Sequence, residues 1–157
     1  MARGAIHLGL CGAMGLAGCS GPAVPESATG TMSALAAEVV AVTRLCLDHG
    51  LAPEPVQQGL RARGYAARVP LSPLMAPADP AVGLRVLRPA PCTLYVARSE
   101  ARLASRAVEN ELRRQGFART DDKAVWTDGT RRIRLERGAA PTARYIENNA
   151  AISLSSG

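Results

Sequence analysis

An apolar stretch near the N-terminus decides which part of this chain is available to fold. Arg3 places a positive charge just before residues 4–16, in which His7 is the one strongly polar side chain. A run of about 13 residues is too short for the roughly 20 that a helix needs to cross a bilayer, but it matches the apolar core of a secretory signal peptide. We therefore expect residues 1–18 to be removed.

The end of this stretch resembles the processing site of bacterial lipoproteins. Leu16 stands three positions before Cys19, and the small residues Ala17 and Gly18 fit the peptidase site. The resemblance covers the first 20 residues and implies that Cys19 becomes the N-terminus and carries the acyl chains, which together anchor a protein stably. The family's sorting pattern and Ser20 imply the periplasmic face of the outer membrane, with the inner membrane and the cell surface left open. Two alternatives are ordinary signal-peptide cleavage and a cytosolic chain with an Ala/Gly-rich start.

The cysteine count fits an exported protein. Cys11 would leave with the signal peptide and Cys19 would take the lipid, so that Cys46 and Cys92 remain as a pair. Disulfides persist in exported proteins, and we expect these two residues to form one. The alternative is a pair of buried free thiols.

Composition divides the remaining chain into a tether and one domain. Residues 19–32 are rich in Gly, Pro, Ser and Thr, which is typical of a flexible tether. Residues 33–157 are long enough for one domain and too short for two.

Three helices are predicted from apolar spacing and from stop signals. The first has Ser33 as its N-cap and ends at Gly50, the second covers residues 56–63, and the third begins at Ser99 and ends at Gly116. In each of the last two, an aromatic residue follows the glycine and is expected to cover the end of the helix.

Short strands are predicted between and after the helices. Candidates are residues 65–71, 84–88 and 92–98, with the proline-rich residues 70–80 as a loop and residues 145–146 and 152–154 as edge strands. Residues 125–135 predict a hairpin that turns at Asp128-Gly129, with Ile133 and Leu135 inward and Arg132 and Arg134 outward. The fold class is therefore α+β, with two or three helices packed on one face of a mainly antiparallel sheet.

Residues suited to catalysis are scarce. His49 is the one histidine after residue 18, and no nearby pattern supplies a nucleophile or an orienting carboxylate. Asp121 and Asp122 lie in a turn-forming stretch and are interpreted as solvated loop rather than as a metal site. The sequence predicts no catalytic residue, no metal site and no cofactor.

Arginine supplies the surplus charge. Loss of Arg3 lowers the formal net charge from +6 to +5, and the candidate anion-binding residues are Arg102, Arg106, Arg132 and Arg134. Glu109 interrupts the arginine row on the third helix, so a generic solvated face is the alternative. The few aromatic residues do not interleave with arginines, which argues against a nucleic-acid partner.

These features predict an envelope lipoprotein whose small domain acts by binding, as a structural or accessory protein. Its partners would be the membrane, through the lipid on Cys19, and an envelope protein or anionic polymer that the sequence does not identify. Two alternatives stay open: a small periplasmic hydrolase with an unrecognised site, and an inhibitor or immunity-type module against an envelope-active enzyme.

Overall fold

The computed structural model of the chain describes residues 26–67, 74–76, 85–87, 92–140 and 149–157. Three α-helices and eight strands follow one another in the order α1 (Glu26–Asp48), α2 (Pro53–Ala62), β1 (Ala66–Ala67), β2 (Leu74–Met75), β3 (Arg85–Leu87), β4 (Cys92–Ala97), α3 (Ala101–Arg114), β5 (Ala118–Arg119), β6 (Val125–Thr127), β7 (Arg132–Ala139) and β8 (Asn149–Ser156). The predicted α+β class is confirmed.

Helix α1 begins earlier than the sequence predicts. It starts at Glu26 instead of after Ser33, so residues 26–32 of the predicted tether are helical. Pro25 directly precedes the helix in the sequence. Proline is tolerated in the first turn of a helix but not in its interior, which limits how far the helix can extend toward the N-terminus. The part of the tether before Glu26, and Cys19 with the signal peptide, lie outside the described residues.

The other two helices also begin differently from prediction and end as predicted. Helix α2 starts at Pro53, since proline is tolerated in the first turn, and Ser99 lies in a 3-10 turn before α3 rather than capping it. Gly64 and Gly116 follow the helices with φ values of 85° and 86°, a conformation that only glycine adopts without strain. The backbone N–H of the next aromatic residue then bonds back to the helix, over 2.9 Å for Tyr65 and 3.0 Å for Phe117.

All strand pairs are antiparallel, and the strand order is β1-β2-β3-β4-β8-β7-β6-β5. The predicted edge strand at residues 152–154 is wrong in position, because it belongs to β8, which lies between β4 and β7. Ile152 and Leu154 have apolar side chains and pair with Leu94 and Cys92 of β4, respectively. Both side chains are buried, which favours a central position of β8 in the sheet. The predicted strand at residues 145–146 lies outside the described residues.

The proline-rich stretch contains one short strand that the prediction missed. Leu74 and Met75 form β2, which pairs with β1 and β3. Prolines 73 and 77 flank the strand without interrupting it, so no ladder donor is lost.

The predicted hairpin is present, but its loop is longer than predicted. Thr127 pairs with Arg132, which leaves residues 128–131 in the loop instead of the two-residue turn at Asp128-Gly129. The Asp128 carboxylate accepts the backbone N–H of Arg131 over 2.7 Å, and this bond stabilises the wider loop.

The predicted faces of the hairpin are confirmed. The longer loop moves the pairing by two residues, and side chains alternate with a period of two, so each residue keeps its face. Ile133 and Leu135 are buried beneath the helices, while Arg132 and Arg134 lie on the opposite face.

A single core fills the space between the helices and one face of the sheet. Its fully buried side chains include Leu35, Val39, Val42, Leu94, Leu112, Trp126, Ile152 and Leu154. The predicted pairing of Cys46 with Cys92 joins α1 to β4, with the two Cα atoms 6.3 Å apart, inside the range that a disulfide requires.

Glu111 fixes α3 against α1. Its carboxylate is 1% exposed and accepts hydrogen bonds from Arg44 of α1 over 3.1 Å, from Arg114, and from Gln115 over 3.0 Å. The pKa of Arg114 is raised mainly by its hydrogen bond to Glu111, and the charge of Asp48 adds to this shift. Near its end, α1 contacts Glu111 through Arg44 and the start of β4 through Cys46. The start of α3 lies over residues of β8 that pair with the later part of β4. The last turns of α1 and α3 therefore lie at the same end of the domain, and the two helices run in the same direction.

Candidate functional site

A cleft of about 470 Å³ lies between the first half of α3 and strands β7 and β8. This volume is within the range of small-ligand sites in proteins. We call it the α3 cleft, and its lining residues are Ala101, Arg102, Ser105, Arg106, Glu109, Arg137, Gly138, Ala150, Ala151 and Ile152.

Helical spacing places two arginines on the wall of the α3 cleft. Arg102 and Arg106 stand one turn apart and are exposed, while Ala104 and Val108 face the core. In the part of the chain that the structure describes, neither guanidinium makes an ion pair. Two positive charges are therefore available to a ligand.

The floor of the α3 cleft comes from the sheet. Gly138, Ala150 and Ala151 are small, which leaves space beneath α3 where larger residues would fill it. Arg137 also lies here, because it is in phase with Ile133 and Leu135 and therefore faces the helices.

Glu109 is the carboxylate of the α3 cleft and is already engaged by three arginines. It pairs with Arg137, with Arg119 over 2.9 Å and with Arg113 over 3.2 Å. Arg102 and Arg106 line the same cleft. The surplus of arginine over Glu109 in this region favours anions.

Trp126 lies beneath the charged network and is 1% exposed. The guanidinium carbons of Arg119 and Arg113 lie 4.8 and 5.3 Å from the centre of its ring, within the range of cation–π interactions. Each of these two arginines therefore contacts both the Trp126 ring and Glu109.

The structure does not bring the four predicted arginines together. Arg102 and Arg106 lie on the helix side of the sheet, whereas Arg132 and Arg134 lie on the other side. Arg134 is also paired with Asp122 over 3.1 Å. The pKa of Asp122 is lowered, first by the backbone N–H of Ala124 and then by Arg134.

Sequence reasoning missed Ser105, Arg119 and Arg137. For Arg137 a signal existed, since it follows Leu135 by two residues and so shares its face. Ser105 lies between Arg102 and Arg106 on α3 and could also have been included from helical spacing alone. Arg119 joins the network only because β5 pairs with β6, which no local pattern indicates.

The other sequence-predicted groups lie elsewhere. His49 follows α1 and is exposed, and Asp121 is exposed before β6. Within the described residues, no group of three or more His, Cys, Asp or Glu side chains is placed to hold a metal ion.

Comparisons with protein-family models, with curated proteins and with solved structures find no match to this chain. Of the helices that the structure describes, none is both long and apolar enough to cross a membrane.

Proposed function

We propose that the chain is a lipid-anchored envelope protein, attached through Cys19 to the periplasmic face of the outer membrane, whose domain binds an anionic ligand in the α3 cleft. The observation that carries the proposal is the unpaired state of Arg102 and Arg106, together on the wall of one cleft, in the described part of the chain.

The electrostatics of the α3 cleft support an anionic ligand rather than a neutral one. An arginine that pairs with a carboxylate already uses part of its hydrogen-bonding capacity, as Arg113 and Arg137 do with Glu109. Arg102 and Arg106 have no such partner among the described residues, and guanidinium groups bind phosphate and carboxylate oxygens through paired N–H donors. Ser105 lies between them in sequence and adds a hydroxyl that can donate to the same ligand.

The anchor is proposed from the sequence resemblance and is tested separately. Mass spectrometry of the N-terminal peptide of the mature protein should find acyl chains on Cys19. An unmodified Cys19, or a retained Met1, would contradict this part of the proposal.

The binding site is tested by calorimetric titration of the mature full chain with inorganic pyrophosphate at low salt. The Arg102→Ala/Arg106→Ala variant should bind at least tenfold more weakly, because each lost charge-assisted hydrogen bond contributes about 1.5 to 3 kcal/mol. The matched control is Arg132→Ala/Arg134→Ala, which removes the same charge from the opposite face and should bind like the wild type. Equal affinities for all three proteins would refute the site.

A further inference from the structure

We infer that the α3 cleft binds phospholipid headgroups of net negative charge in the same bilayer that carries the lipid anchor, so that the domain docks on its own membrane. This inference rests on the proposed function. It adds the identity of the ligand and the orientation of the domain.

The position of the α3 cleft in the domain follows from the strands that form its floor. Its floor residues Ala150 and Ile152 pair with Val96 and Leu94, at the end of β4 that leads into α3, whereas Cys92 and its bond to Cys46 lie at the other end. Since α1 and α3 run in the same direction, the α3 cleft lies at the end of the domain from which α1 extends toward the anchor.

The distance between the α3 cleft and the bilayer is limited by α1 and by the chain before it. Arg44 lies beside Glu111, so the first residue of α3, ten positions earlier, is level with residue 34 of α1. Helix α1 extends eight residues further to Glu26, about 12 Å at 1.5 Å per residue. The chain from Cys19 to Glu26 adds at most about 25 Å. The α3 cleft is therefore held within roughly 40 Å of the anchor along this direction.

The affinity of the α3 cleft for headgroups is raised by the tether. Two exposed guanidinium groups in an open cleft make a weak, salt-sensitive site for a free ligand. A short tether raises the effective concentration of the bilayer surface to the order of millimolar, which is enough to occupy such a site. A membrane surface that carries phosphate groups provides several charges at once, which matches this arrangement.

The test uses energy transfer from Trp126, the single tryptophan of the chain, to a dansyl-labelled lipid. The mature lipidated chain is inserted through its own anchor into vesicles of phosphatidylcholine, or of phosphatidylcholine with phosphatidylglycerol. Docking through the α3 cleft brings Trp126 toward the headgroups, because Arg113 and Glu109 connect the ring to the cleft. Transfer should rise severalfold with phosphatidylglycerol and return to the lower value in high salt.

Two variants and two additions separate the outcomes. The rise in energy transfer should be lost in Arg102→Ala/Arg106→Ala and kept in Arg132→Ala/Arg134→Ala. A loss in both variants would overturn the inference, because it would show a general effect of charge. Vesicles made anionic with oleate should give less than half the rise, and an equal rise would overturn phosphate recognition. Free glycerol phosphate at millimolar concentration should leave docking intact. Complete loss of docking on this addition would overturn the inference, because it would indicate that the site binds a soluble ligand.

Failure of this inference is distinguishable from failure of the proposed function. If transfer is the same in both kinds of vesicle while pyrophosphate still binds through Arg102 and Arg106, membrane docking is refuted and the anion site stands. If pyrophosphate binding does not depend on these arginines, the proposed function itself is refuted.

Discussion

Replacement of Glu111 by Gln is expected to lower the free energy of unfolding by about 3 kcal/mol at pH 7. Burial alone would raise the pKa of Glu111, but hydrogen bonds from Arg114, Gln115 and Arg44 outweigh it and lower the pKa from 4.5 to about 2. At 1.36 kcal/mol per pKa unit, this difference is about 3 kcal/mol in favour of the charged, folded form.

The effect should depend on pH in a defined direction. A carboxyl group with a lowered pKa in the folded state contributes its full stability above its unfolded pKa, and this contribution is lost as pH falls through the folded pKa. For Glu111 the window is from about pH 4.5 down to about pH 2. Wild type and Glu111→Gln should therefore differ most at pH 7 and converge near pH 2.

Urea unfolding followed by Trp126 fluorescence measures both proteins between pH 7 and pH 2.5. The control is Glu136→Gln, an exposed carboxylate on β7, which should change stability by less than about 0.5 kcal/mol. A constant difference across this pH range, or a loss at pH 7 below about 1 kcal/mol, would refute the reasoning.

Three further predictions concern the network, the disulfide and a helix end. Glu109→Gln should strengthen pyrophosphate binding severalfold in calorimetry, because the carboxylate that competes for Arg137 is removed; unchanged or weaker binding would argue against that competition. Cys46→Ala/Cys92→Ala should lower the urea-unfolding free energy by about 4 kcal/mol, from the loop of 46 residues that the bond closes, and a loss below about 1 kcal/mol would contradict the bond. Gly116→Ala should cost about 1 to 2 kcal/mol, since its φ is 86° while its missing Cβ would meet no atom within 4 Å; a neutral result would show that the backbone relaxes.

Local patterns predict the three helices and the longer strands of this fold, but not the short strands β2 and β5. They do not predict which strands pair over long range. The alternation of Ile133 and Leu135 with arginines predicts the correct face, since a two-residue shift preserves it. The helix ends at Gly64 and Gly116 depend on a backbone conformation with positive φ, and glycine in the sequence is a direct signal for it. The central place of β8 depends on which strands it pairs with, and residues 152–154 alone do not indicate that.

Local patterns predict only part of the candidate site. Arg102 and Arg106 share a helix face by spacing, so they could be paired from the sequence. Their distance from Arg132 and Arg134 depends on which side of the sheet α3 covers. The role of Arg137 requires β7 and β8 to be neighbours beneath α3. A cleft formed by elements far apart in sequence has no local signature.

Arg102 and Arg106 are the residues on which the proposed anion site depends. The most direct measurement is nuclear magnetic resonance of the arginine Nε–H groups in the labelled mature chain during titration with pyrophosphate at low salt. We expect the largest chemical-shift changes at Arg102 and Arg106, smaller ones at Arg137 and none at Arg132. Largest shifts at Arg132 and Arg134, or equal small shifts at every exposed arginine, would contradict it.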